Sequence, residues 1–233
     1  MAKPKYKRVM LKLSGEILMG EYEFGIDYKV LKSYLDQLIE VSDLGVEMLV
    51  EVGGGNIYRW KTAQSGVRRD VADGMGMMGS IMNAMNFESL EPSKVKAMST
   101  VAINKFIDSY TVRKAKEYLE KKYVVIIGGG VGNQFFTTDT GAVTHALQTE
   151  CDVVLKGTNV DGVFDKDPMK YKDAKKYTEV SYDEVLSKNL NVMDMSAFAL
   201  SRENNMPVIV FNTLIKGNIK KAVLGEKVGT NVN

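Results

Sequence analysis

Two apolar runs in this chain end in triple glycines, and that pattern narrows the fold more than any other feature of the sequence. Residues 46–52 run into Gly53-Gly54-Gly55-Asn56, and residues 124–127 run into Gly128-Gly129-Gly130-Val131-Gly132-Asn133. A third run, residues 8–13, ends in Lys12-Leu13-Ser14-Gly15-Glu16. Short apolar runs of this kind read as strands buried on both faces, the signature of a parallel sheet covered by helices. Helical patterns fall between them. Residues 28–44 carry apolar positions at 31, 35, 38, 39 and 41 and stop at Gly45.

The alternation continues to the end of the chain. Residues 73–87, 111–122, 138–149, 182–188 and 197–204 read as helices, and 101–103, 153–156 and 208–211 as strands. Residues 161–177 form a charged, turn-rich excursion, and 228–232 a return to the sheet. The expectation is an α/β fold: a mainly parallel central sheet between helix layers, in one domain of 233 residues. In the helix over 73–87, Met78, Ile81, Met82 and Met85 share a face, which reads first as core packing and second as a subunit interface.

Composition excludes several classes of function. Lys and Arg total 31 against 29 Asp and Glu, a balance that gives no reason to expect nucleic-acid or membrane binding. The lone Cys151, beside the run Val153-Val154-Leu155, excludes an intrachain disulfide framework and reads as a packed core thiol. The basic N-terminus holds no apolar stretch of signal-peptide length, and no run reaches membrane-span length, so the cytoplasm is expected.

Glycines at strand ends let backbone N–H groups approach an anion, and the following helix points its positive end at it. Ligands in open α/β sheets lie at the carboxyl ends of the strands, so these turns imply a phosphate or another anionic ligand. The Walker A pattern is absent, and the GxGxxG at Gly74, Gly76 and Gly79 follows a charged segment rather than an apolar strand. The single histidine, His145, lacks the partners of a nucleophilic mechanism and reads as structural. Phosphoryl transfer needs no such base, only positioning and positive charge. A monophosphate acceptor with a second pKa near ~6 is already largely ionised.

The segments Lys12 to Glu16, Gly53 to Asn56 with Arg59, Asp73 to Met77, Gly132 to Asp139, Val153 to Thr158, Asp161 to Pro168 and Val192 to Asp194 recur in this order in bacterial UMP kinases. The chain resembles that family from Lys7 to Thr230. The resemblance implies an amino-acid-kinase-like fold, with an N-terminal part mainly binding UMP and a C-terminal part mainly binding ATP. It implies transfer of the γ-phosphoryl group of ATP to UMP, with Mg²⁺ accompanying ATP, in pyrimidine nucleotide synthesis. Lys12 and Lys156 resemble the lysines that stabilise the phosphoryl group in flight. Asp139 and Asp194 resemble the carboxylates that orient them and meet Mg²⁺ directly or through water.

Gly54, Arg59 and Asp73 resemble the acceptor set, with Asp73 on the ribose. Val131, Gly132, Asn133, Gln134, Phe135, Phe136, Thr137 and Thr138 resemble the segment around the uracil. A polar site of that kind rejects a base with swapped donors and acceptors by ~10⁴. Leu13, Ser14, Gly15, Gly55, Thr158, Asn159, Phe164 and Asp167, with Lys12 and Arg59, resemble the ATP-binding set, Phe164 lying beside the adenine or in the core. The resemblance further implies a homohexamer and feedback inhibition by UTP. Residues 20–25 match a loop linked in the family to GTP activation, but Glu88 to Ser93 and Ser99 stand where typical members carry basic residues, which puts GTP activation in question. A carboxylate or carbamate kinase of the same group would share Lys12 and the glycine turns, but has no ribose or base for Asp73 and the Phe135 to Thr138 segment to read. A non-catalytic nucleotide-binding protein on this fold has no need of Lys12, Lys156, Asp139 and Asp194.

Overall fold

The β-branched and apolar runs form one parallel core sheet because each run has a helix to follow it and cover it. A computed structural model describes residues 3–59, 66–190 and 193–233. In chain order the elements are β1 (Arg8–Leu13), a 3₁₀ turn (Gly15–Met19), α1 (Tyr28–Asp43), β2 (Glu47–Val52), α2 (Arg69–Leu90), β3 (Val95–Ser99), β4 (Asp108–Ser109), α3 (Val112–Glu120), β5 (Val124–Gly128) and α4 (Thr138–Gln148). They continue with β6 (Val153–Thr158), β7 (Glu179–Val180), α5 (Tyr182–Ser187), α6 (Met195–Glu203), β8 (Val208–Asn212), α7 (Asn218–Val223) and β9 (Gly229–Val232).

The described strands make one nine-stranded sheet in the order β4-β3-β5-β2-β1-β6-β8-β9-β7. Every pairing is parallel except β8 with β9, so the C-terminal segment does return to the sheet, running antiparallel. Side chains alternate across each strand. Val9, Leu11 and Leu13 enter the core layer under α1, α2 and α7, while Met10 enters the layer under α3, α4, α5 and α6. The sheet is thus covered on both faces, as expected from strands with no polar face.

The sequence reading needs three corrections here. The strand expected over residues 101–103 lies earlier, at β3, where Val95 and Ala97 turn inward under α2. The helix expected from Asp73 starts one turn earlier, at Arg69. Its methionines are also divided. Ile81 and Met85 face the core, but Met78 and Met82 are 44% and 48% exposed, because the helix covers the sheet with one face only. Cys151 is buried as expected, and burial pushes its thiol up to about 12.

Candidate active site

The chain's β-strand order reverses at β1, whose neighbours β2 and β6 lead away in opposite directions. Such a switch point opens a crevice at the carboxyl ends of the strands. Two clefts occupy it. One is lined by Gly53, Gly54, Gly55, Arg59, Asp73 and Thr138, among others. The other, of about 730 Å³, is lined by Lys12, Lys156, Thr158, Asn159, Tyr34 and Lys216, among others. Ser14 lines both, so they meet at the end of β1.

Register brings the two lysines together. Lys12 on β1 pairs with Lys156 on β6, and both side chains rise on the face covered by α4. Asp139, in the first turn of α4, meets both: its Oδ1 lies 3.1 Å from Lys12 Nζ, and its Oδ2 accepts a hydrogen bond of 2.6 Å from Lys156 Nζ. Thr137 starts that helix by accepting from the Asp139 N–H at 3.0 Å, which holds the carboxylate at the positive helix end. Burial works to raise the Asp139 carboxyl, but the two ammonium groups outweigh it and hold the carboxyl below its ordinary range. Lys156 is shifted down, chiefly by burial, with Lys12 repelling it and Asp139 only partly compensating. Two cations share one anion, and the surplus positive charge faces the clefts.

Asp194 forms its hydrogen bonds at two helix starts. It caps α6, accepting from the Ala197 N–H at 2.9 Å. Thr140 donates to its Oδ1 at 3.0 Å, and Thr137 donates to its Oδ2. It braces the start of α4 through these threonines, and its charge also acts on Lys156. Val192, the first residue of its motif, lies outside the described residues.

Gly54 lies directly beneath the GxGxxG segment of α2. A Cβ on Gly54 would stand 2.2 Å from the Gly76 carbonyl oxygen and 2.6 Å from the Ser80 nitrogen, so α2 rests directly on the glycine turn. Of the α2 glycines, Gly79 shares this close packing, its added Cβ standing 3.1 Å from the Gly54 carbonyl oxygen, whereas one at Gly74 would meet nothing within 4 Å. Behind the turn, Asn83 Nδ2 donates to the Gly53 carbonyl at 2.7 Å and exchanges hydrogen bonds with Asn56. Gly129 and Gly130 adopt φ of 97° and 57°, which a side chain disfavours.

The segment expected around a base is divided. Asn133, Phe136, Thr137 and Thr138 line the first cleft with Asp73. Gly132 and Gln134 instead line an apolar hollow beside the methionines of α2. Val131 is half-buried and lines neither cleft, and Phe135 is 62% exposed with Arg69 above its ring. Asp73 accepts from the Phe135 N–H at 2.9 Å and so ties this segment to α2. Arg59 lines the first cleft and pairs with Glu16.

Among the residues expected to bind ATP, Lys12, Ser14, Thr158 and Asn159 line the second cleft, and Gly15 and Gly55 the first. Leu13 does not reach a cleft with its side chain, which is buried in the core on the opposite face from Lys12. Phe164 and Asp167 line neither: Phe164 bridges to Lys176, and Asp167 accepts from the Met169 N–H. Sequence reasoning missed the contributions of α1 and the β8–α7 connection, notably Tyr34, Gln37, Thr213 and Lys216. Tyr34 and Gln37 sit in an amphipathic helix, where spacing alone reads as core.

The amino acid kinase family model matches residues 7–212. A curated relative, a uridylate kinase of Rickettsia felis, is 45% identical over 223 residues, covering 94% of this chain and 92% of the relative. A crystal structure of a UMP kinase from Bacillus anthracis superposes with a TM-score of 0.93 at 36% identity, covering 98% of this chain and 96% of that one. A crystal structure of a UMP kinase from Ureaplasma parvum gives 0.92 at 31% identity, over 98% and 99% of the two chains.

Proposed function

We propose, for a chain that belongs to the amino acid kinase family and groups with its uridylate kinases, that ATP in the second cleft donates its γ-phosphoryl group to UMP in the first. As a nucleoside monophosphate kinase it makes UDP and ADP. The observation that carries the reading is the Lys12–Asp139–Lys156 cluster at the junction of the two clefts.

The chemistry follows from that charge. A phosphate oxygen of UMP forms a bond to the γ-phosphorus while the bond to the β,γ-bridging oxygen breaks, and the electrons leave with ADP. No general base is required, because the acceptor phosphate is already ionised at neutral pH. Lys12 and Lys156 follow the charge on the equatorial and leaving oxygens, held in place by Asp139. Arg59, a planar donor fork, serves a phosphate of the acceptor, and Asp73 the ribose hydroxyls. Gly54 and Gly55 supply backbone amides.

Mg²⁺ carried by ATP would neutralise charge on the β- and γ-phosphates. Among the described residues no group of three or more His, Cys, Asp or Glu side chains could hold a metal. Asp139 is committed to two lysines and Asp194 to two threonines. Held by these partners, Asp139 and Asp194 would meet the ion through water.

The same reading takes in UTP as a feedback inhibitor at the UMP cleft, a homohexameric assembly, a place in cytoplasmic pyrimidine nucleotide synthesis, and GTP activation weakened by Glu88 to Ser93. No described helix is long and apolar enough to cross a membrane. The test is an acceptor screen with UMP, CMP, AMP and N-acetylglutamate, with and without GTP and UTP. ATP-dependent UDP formation is expected. Phosphorylation of the acid with no UDP would refute the reading in favour of a carboxylate kinase.

A further inference from the structure

Glu51 and His145 belong to no role derived so far, yet they lie against the reacting face. Glu51 on β2 is the register partner of Lys12 on β1, so the two side chains rise side by side under α4. The carboxylate is fully buried, and its Oε2 lies 3.0 Å from Nδ1 of His145, itself buried within α4. Its Oε1 lies against Gly141 of α4, and the Gly130 backbone also supports the carboxylate. A buried carboxylate is expensive unless a partner offsets its charge, and His145 is the side chain placed to do so with a proton held between them.

We propose that Glu51 and His145 are positioning residues for Lys12: sharing one proton, they remain net neutral and leave the Lys12 ammonium to Asp139 and the phosphoryl group. This rests on the phosphoryl-transfer reading above. When the shared proton passes to solvent, the pair becomes a net anion beside Lys12. It then competes with Asp139 and with substrate phosphate for one ammonium group, and turnover falls.

The surroundings isolate the pair. From β1 it is faced by Lys12, from β5 by the apolar Ile127, and from the segment before α3 by Tyr110, whose ring lies 4.4 Å from that of His145. From α4, Asp139 neutralises part of the Lys12 charge. The cations of α3 are engaged elsewhere, Arg113 with Glu117, Lys114 with Asp108 and Lys116 with Glu150. Burial moves Tyr110 above its ordinary range and Cys151 to about 12, so neither titrates near neutrality. Burial also raises the Glu51 carboxyl, against the opposing pull of His145 and Lys12.

His145 is the only histidine in the chain, so ¹⁵N-histidine labelling of the full protein gives one ring signal that reports the pair directly. Replacing Lys12 by Met removes a neighbouring positive charge. The His145 signal should then keep its protonated form to an alkalinity at least ~10-fold greater than in wild type, since one charge a few ångströms away is worth roughly 5-fold under water-like screening and ~10³-fold under protein-like screening. In turnover assays, wild-type kcat should fall about ten-fold as the pair loses its proton, and Glu51→Gln should abolish that fall. An unchanged His145 midpoint in Lys12→Met overturns the proposal, and so does a wild-type pH profile in folded Glu51→Gln. If Glu51→Gln does not fold, the Lys12→Met titration decides alone. Absence of UDP formation by wild type would end the UMP reading, while the histidine titration would still decide the coupling.

Discussion

Asp139→Asn removes the one anion that two lysines share while leaving the shape of the side chain intact. Unit charges ~4 Å apart at an effective dielectric constant of ~20 interact by about 4 kcal/mol, and Asp139 has two such partners, at 3.1 Å and 2.6 Å. Breaking a buried pair of this kind costs about 3–5 kcal/mol of stability, because the cations are left uncompensated. Lys156 is already below its ordinary range through burial, so losing Asp139 drives it further down and favours its neutral form. Turnover of ATP and UMP, followed by ADP release from about pH 6 to pH 9, should therefore fall by at least ~10²-fold near neutrality and steepen as pH rises. The acid limb of stability gives an independent check. The folded-state carboxyl of Asp139 is lowered, so its contribution is present above its unfolded value and lost as pH falls through the folded one. The Asn variant should lack that loss. Asp139→Asn/Lys156→Met, with one cation fewer, should regain stability but not turnover. A folded Asn variant with kcat within ~3-fold of wild type and an unchanged pH profile would refute the shared-anion argument.

Other outcomes test the remaining parts of the site. Lys12→Ala and Lys156→Ala should each lower turnover by at least ~10²-fold, and near-normal kcat in both would sink their assignment. Gly54→Ala forces a Cβ to within 2.2 Å of the Gly76 oxygen; calorimetry should show a loss of about 1–3 kcal/mol, or about 3–10 °C in Tm. Asp73→Ala releases the Phe135 amide and should raise the KM for UMP by about ten-fold or more, with a smaller effect on the KM for ATP. Cys151, with its thiol held at about 12, should resist maleimide at neutral pH until the protein unfolds.

Much of this architecture was legible in the chain itself. Apolar runs broken by glycine name their own strand ends, because buried strands need β-rich apolar sequence and anion-binding turns need glycine. The start of α4 at Thr138 also read correctly, since a threonine cap such as Thr137 is a local preference. The 101–103 segment misled because three apolar residues without a following pattern carry no information about pairing. Where Phe164 and Asp167 sit depends on how the 161–177 excursion folds back, which no local rule sets.

Only the tertiary structure decided which charges meet. Lys12, Glu51 and Lys156 stand in three separate strands, and their alignment on one face follows from the register of β2, β1 and β6. Asp139 reaches both lysines, and His145 reaches Glu51, because α4 lies across that face with one rotation. Asp194 meets Thr137 and Thr140 because α6 packs its start against that of α4. A strand's side-chain alternation is written in its sequence, but its neighbours and their offset are set by packing the whole sheet. The strand ends that bind phosphate could be read from one segment at a time, whereas the charge balance at the reacting centre could not.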